Sequence, residues 1–228
     1  MKISELKREA RLSLKGNWGT AVALSLIMFL LTMVLQTVIE VIFSGGWAAW
    51  YEQDVAPIGV SAFNTLLSIL LIPFSIGVYW FYLDLVRMES TSFEKAFSIY
   101  KDGKMFSKVI IASIVQGIFV FLWSLLLLIP GIIKALAYSQ LFFLLRDHPH
   151  LTTLEAITES RRRMKGLKWK YFLMCLSFIG WGILCLFTIG IGFLWLVPYV
   201  GTTMAAFYNE WIASQDESEI QEENEIVE

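Results

Sequence analysis

The sequence predicts an all-α fold: a polytopic membrane helical bundle of six transmembrane helices. It reads as three repeats of an interfacial amphipathic helix plus a helical hairpin. Three observations carry that reading. The first is composition. Of 228 residues, 57% are hydrophobic, 15% aromatic and only 17% charged, with a mean hydropathy of +0.63. A soluble domain carries about 25% charged residues, and one soluble core of this size cannot hide so much apolar surface. The surplus has to face lipid, which excludes a soluble enzyme, a disordered chain and a nucleic-acid binder. The second observation is that basic residues collect in three segments between the apolar runs. The third is that each repeat carries the same two local marks.

A spanning helix needs about 20 mostly apolar residues. In order, the spans read Trp18–Phe43, Pro57–Val86, about Val109–Ile129, about Gly131–Leu145, about Trp169–Phe187 and about Ile189–Ile212. The third and fourth form one apolar stretch, divided at Pro130-Gly131, because Pro lacks an N–H and Gly reverses the chain at low cost. The fifth and sixth divide at Gly190 or Gly192 on the same ground. Trp18–Phe43 is too long for the apolar core of a signal peptide, so it reads as an uncleaved span.

Charge sets the topology. Lys2, Lys7, Arg8, Arg11 and Lys15 precede the first span. Arg87, Lys95, Lys101, Lys104 and Lys108 lie between the second and third, and Arg146, Arg161, Arg162, Arg163, Lys165, Lys168 and Lys170 between the fourth and fifth. The opposite connections hold no Lys or Arg. The positive-inside rule places the basic segments, and both termini, in the cytoplasm of a plasma-membrane protein. Residues 1–212 read as one membrane domain, with repeat units at about 1–88, 89–149 and 150–212. Residues 213–228 carry seven acids and no Lys or Arg, and read as a disordered acidic cytoplasmic tail. Cys175 and Cys185 are ten residues apart in one apolar stretch, about 15 Å along a helix, too far to bridge.

The repeat rests on two marks. Each basic segment has helical apolar spacing: Ile3, Leu6, Ala10 and Leu14; Phe93, Phe97 and Tyr100; Leu154, Ile157 and Met164. Thr91 with Glu94 and Thr152 with Glu155 read as capping boxes, and Gly16, Gly103 and Gly166 suit helix ends. Glu5, Arg11, Lys15 and Gly16 match Glu155, Arg161, Lys165 and Gly166 at a constant offset. In the second span of each unit, Pro73, Pro130 and Pro198 are followed by Tyr82, Tyr138 and Tyr208.

The run from Ile129-Pro130-Gly131 to Tyr138-Ser139 resembles a bacterial membrane family catalogued as domain of unknown function 975. So do Glu155–Arg161 with Met164-Lys165-Gly166, the run Leu176–Trp181, and Pro198-Tyr199-Val200 with Phe207-Tyr208. The opening Lys2–Lys7 with Lys15–Trp18 is similar to that family's start. A more distant likeness links the Pro-Gly span and the Ser-Arg helix to membrane domains of glycerophosphodiester phosphodiesterases, whose catalytic domain is absent here. The resemblance implies a bacterial plasma-membrane protein and brings no activity with it.

Ionisable groups inside spans are default candidates for function. Glu40 and Lys134 have opposite sign and matched depth near the outer surface, and so form a possible intramembrane pair. The competing expectation is that both reach the nearby headgroups. Asp84 reads as an interfacial partner of Arg87. The neutral polar residues Gln36, Asn64, Gln116 and Gln140 either join helices or line a path. Asp147-His148-Pro149-His150 reads as a turn rather than a metal site. The basic run Arg161, Arg162, Arg163, Lys165, Lys168 and Lys170, with Trp169, suits contact with anionic lipid at the cytoplasmic face. No catalytic residue, cofactor site or metal site is expected. The expected role is a non-enzymatic protein that binds membrane lipids or a protein partner. The alternatives are a small transporter or exporter with a cavity between the units and, last, a membrane enzyme acting on lipid.

Overall fold

The computed structural model describes residues 2–52 and 57–216. Among them every regular element is helical. An amphipathic helix α1 (Ile3–Ser13) turns at Gly16, whose φ of +89° is left-handed, into the long helix α2 (Trp18–Phe43). A short helix, Trp47–Glu52, follows, and then α3 (Ile58–Val86). The second basic segment forms a 3-10 helix, Phe93–Lys101, before α4 (Gly103–Leu126). The return from α4 is broken into α5 (Leu128–Tyr138) and α6 (Leu141–Asp147). The third amphipathic helix, α7 (Thr153–Arg163), turns at Gly166, again left-handed with φ +83°, into α8 (Lys168–Leu176) and α9 (Ile179–Phe187). The last helix, α10 (Phe193–Tyr208), continues through a π-helical turn, Asn209–Ala213.

Among the described residues five segments are long and apolar enough to cross a membrane: Trp18–Phe43, Ile58–Val86, Gly103–Leu126, Leu128–Asp147 and Lys168–Phe187. This makes the chain an all-helical protein with the build of a membrane protein. The sixth expected span is α10 with its π turn. It carries Thr202, Thr203, Asn209 and Glu210, and Gly201–Thr203 and Ala205–Tyr208 are buried inside the protein. Lipid does not have to solvate a helix that protein already covers, so a low hydropathy is tolerated there.

Among the returning helices, burial divides α3 and α10 at their prolines, whereas in α5–α6 continuous burial begins only at Ala137, seven residues after Pro130. Before Pro73, only Val60 and Asn64 of α3 are buried; from Pro73 to Val86 most residues are. In α10 burial begins at Pro198. The marker tyrosines Tyr82, Tyr138 and Tyr208 are 1%, 4% and 0% exposed. Tyr82 lies against Gly201 of α10, Tyr138 against Phe119 of α4 and Tyr208 against Phe143 of α6, and the amphipathic segments pack around them in a cyclic arrangement. The 3-10 helix packs along α3, α7 along α5 and α6, and α1 along α10. Each unit's amphipathic segment therefore covers the returning helix of the unit before it, and the first covers the last. At the matched positions Leu6 and Ala156, Ala10 and Ser160, and Leu14 and Met164 are all 0% exposed. One core joins residues of all three units, among them Leu14, Phe81, Leu144, Met164 and Phe207.

The outer faces differ by height. Arg8, Arg11 and Lys15 on and just after α1, and Glu155, Thr158, Arg161 and Arg162 on α7, are exposed. Such a surface calls for water or headgroups. The opposite ends of the hairpins show bare apolar side chains: Phe29 to Phe43 on α2, Ile111 to Leu126 on α4, and Ile183 to Ile189 at the end of α9 and just beyond it. The Thr152–Glu155 capping box is present. The one expected at Thr91 is not. The 3-10 helix starts at Phe93 after Ser92, with no side-chain cap, and α4 is capped instead by Asp102, which accepts from Lys104 N and Met105 N.

Candidate functional site

The basic end is organised by one guanidinium. Arg87, just past α3, donates through Nη1 and Nη2 to both oxygens of Asp147 at 2.9 and 2.6 Å, and through Nε to Asn209 Oδ1 at 3.0 Å. Tyr208 Oη donates to Asp147 at 2.7 Å. The ends of the three returning helices thus meet on Arg87. The expected Asp84–Arg87 pair is corrected here. Buried Asp84 takes Arg146 and Lys95 instead, because Arg87 leaves the helix axis toward α6 and α10.

Beside this clamp, Arg163 bonds Glu159, the Ile212 carbonyl and Asp216, and His148 Nε2 lies 3.2 Å from Asp216. Burial works to raise the Asp216 carboxyl, but the Arg163 hydrogen bond and charge, with His148, hold it below its ordinary value. Of the predicted acidic tail, Ala213–Asp216 is therefore built into the fold, and residues 217–228 lie outside the described residues. His148 is engaged by Asp216, and among the described residues no three His, Cys, Asp or Glu stand close enough to hold a metal.

The basic run splits in two. Arg163 is 5% exposed and belongs to the network just described, so it is corrected out of the lipid-contact set. Its neighbour Arg162 holds Glu159 at 2.7 Å, and Lys170 Nζ sits 4.3 Å over the Trp211 ring. Arg161, Lys165 and Lys168 have no carboxylate partner among the described residues, and Trp169 beside them is 67% exposed. Lys134 does not meet Glu40. Its Nζ lies 4.2 Å from the Trp123 ring centroid, and the charges it faces are Arg161 and Lys168. Ser160 donates to the Ala137 carbonyl at 2.8 Å, which brings Arg161 within about one helical turn of Lys134. Glu40 is satisfied inside its own hairpin, by Asn64 Nδ2 at 2.9 Å and Trp50 Nε1 at 3.3 Å.

These residues are positioned by a repeated pattern, and the family comparison falls on the same chain length. Residues 1–135 and 124–215 match the family described as Protein of unknown function (DUF975). The chain belongs to this family. The two DUF975 matches overlap at 124–135, across the α4–α5 turn, and end one residue short of Asp216. No curated protein and no solved structure matches the chain, and the likeness to glycerophosphodiester phosphodiesterase membrane domains gains no support.

Among the described residues of this DUF975 protein, three cavities lie toward the apolar ends. One, of about 420 Å³, runs between the α1–α2 junction and the α9–α10 hairpin, with Arg11 its sole charged lining residue. A second of the same volume and a third of about 270 Å³ adjoin at Phe193 and Val197, between α2, α3 and α10. None of Gln36, Asn64, Gln116 and Gln140 lines these three cavities. Gln36 donates to Ser68 at 3.0 Å, Asn64 to Glu40, and Gln140 to Ser139 at 2.8 Å. Sequence reasoning missed the Arg87 clamp and the Arg11 cavity. The shared tyrosines, placed near the ends of the returning helices, were the available signal for the clamp.

Proposed function

We propose that this is a non-enzymatic plasma-membrane protein of bacterial type, with six spans and cytoplasmic termini, whose basic face binds anionic lipid headgroups. The observation that carries the reading is the group Arg161, Lys165 and Lys168, cationic and without acidic partners among the described residues, beside exposed Trp169. Each cation near an anionic leaflet gains about 1 kcal/mol, and Trp prefers headgroup depth. Three of the four mid-span amides, Gln36, Asn64 and Gln140, are used in contacts between side chains, which weakens the case for a polar pathway. The adjoining cavities between α2, α3 and α10, with Ser25, Ser75, Tyr79 and Tyr82 on their walls, are what favours a small transporter as the second reading.

The test replaces Arg161, Lys165 and Lys168 together by Gln in the full chain, reconstituted with mixed phosphatidylglycerol and phosphatidylcholine. Tryptophan quenching by brominated lipid reads which lipid surrounds the protein. The expected result is loss of the phosphatidylglycerol preference, with reporters still showing Trp50 outside and the C-terminus inside. An unchanged preference, or an inverted topology, would make the cluster a topology anchor and nothing more.

A further inference from the structure

The cavity at Arg11 has the chemistry of a site for one lipid molecule. Its walls are Trp18, Trp181, Leu184, Trp195, Leu196 and Tyr199, and Arg11 lies on the first amphipathic helix among them. Gly192 to Tyr199 lie along one side, about 10 Å of helix. One polar group of the wall is already used: Thr188 Oγ1 donates to the Cys185 carbonyl at 2.7 Å and accepts from Gly192 N at 2.9 Å. Trp181, Leu184 and Trp195 are 56%, 56% and 50% exposed, so the wall continues into the apolar belt rather than closing on itself. A volume of about 420 Å³ lies in the range of sites for small molecules.

Arg11 has no carboxylate partner among the described residues, and its charged neighbour is another cation. Lys7 sits one turn away, with Nζ bonded to the Ser177 carbonyl at 3.2 Å and 3.9 Å from the Phe178 ring centroid. Burial, and then the charge of Arg11, lower the Lys7 pKa. A positive end with no counter-ion among the described residues and a long apolar body fit an anion with a hydrocarbon chain. Arg11 also matches Arg161 at the repeat offset. The two cations therefore stand at equivalent turns of α1 and α7.

We propose that this groove holds one anionic phospholipid, its phosphate on Arg11 and one acyl chain along Trp181, Leu184 and Trp195. The proposal rests on the reading of the chain as a membrane protein that meets anionic lipid. The test is native mass spectrometry of the full chain in mild detergent, with phosphatidylglycerol, phosphatidylcholine or inorganic phosphate added. Wild type is expected to retain one phosphatidylglycerol, about fivefold more strongly than phosphatidylcholine, the factor one cation supplies at an anionic surface. Arg11→Gln should lose the preference and Arg11→Lys keep it. Leu184→Trp, which fills the groove and leaves Arg11 in place, should lose the bound lipid, and it decides the matter if Arg11→Gln does not fold. Equal retention of the two lipids, a preference that survives Arg11→Gln, a lipid retained by Leu184→Trp, or binding of inorganic phosphate alone would each overturn the proposal. The Arg161, Lys165 and Lys168 variant separates the two readings. It should keep the single bound lipid while losing the surrounding preference, so each can fail without the other.

Discussion

At the scale of single residues, the charges that matter to the fold are those gathered around Arg163. Glu159 shows this. The Arg162 hydrogen bond, opposed by burial and reinforced by Arg163, holds its carboxyl below the ordinary value of 4.5. Asp216 is likewise held below 3.8. A carboxylate with a lowered pKa in the folded state contributes stability that is complete above its unfolded pKa. That contribution is lost as pH falls through the lowered folded value. Acidification below the ordinary carboxylate range should therefore release Arg163 and the Asp216 turn together. Glu159→Gln should cost about 1 kcal/mol at neutral pH and flatten the acid side of a plot of melting temperature against pH. A variant whose acid limb matches wild type would show that Glu159 adds nothing. The long-range half of this network was not legible in sequence, where Arg161–Arg163 read as one basic block. Only the fold distinguishes Arg163, turned inward to Ile212 and Asp216, from Arg161, turned out.

At the scale of elements, the spans were legible because lipid leaves little choice: a long apolar run must satisfy its backbone internally, and a helix does so. The left-handed Gly16 and Gly166 and the Thr152 capping box were legible for a similar reason, since each depends on residues within one turn. The second amphipathic segment was not. The sequence predicts an α-helix there, and the chain forms a 3-10 helix. The cause is a close approach that belongs to another element. A Cβ on Gly77 of α3 would lie 2.0 Å from the Ala96 carbonyl oxygen, and Tyr100 Oη donates to the Leu70 carbonyl at 2.7 Å. The segment is held against the α3 backbone at both points, and a tighter helix spans the distance with fewer residues. Gly77→Ala should push the 3-10 helix off α3 and cost about 2 kcal/mol, the usual range for forcing an extra group into a packed contact. Gly117→Ala is the control, because a Cβ there meets nothing within 4 Å. Equal melting temperatures for the two variants would remove the explanation.

At the scale of the whole molecule, three similar units close on themselves, each amphipathic segment covering its predecessor's returning helix. Periodicity and the offset match between Arg11 and Arg161 suggest such units but say nothing about which covers which. That ordering follows from tertiary contacts alone. Closure makes the basic end a single body, and Arg87 is where its three returning helices are tied. Side chains of Arg87 and Asp147 are 23% and 17% exposed, so the pair is shielded from water without being sealed from it. Removing Arg87 leaves Asp147 with Tyr208 as a donor but without a counter-charge. Arg87→Ala should then cost about 2 to 3 kcal/mol, the range for hydrogen bonds to charged groups in a partly buried site. Arg87→Lys should recover only part of this, because an ammonium cannot make the two-pronged contact to Asp147 and also reach Asn209. Thermal unfolding in detergent of Arg87→Ala, Asp147→Ala and the double variant measures the coupling. If Arg87 ties α6 to α3, the double variant is less destabilised than the sum of the singles by more than about 0.5 kcal/mol. Additive effects would mean that apolar packing alone holds the three units together.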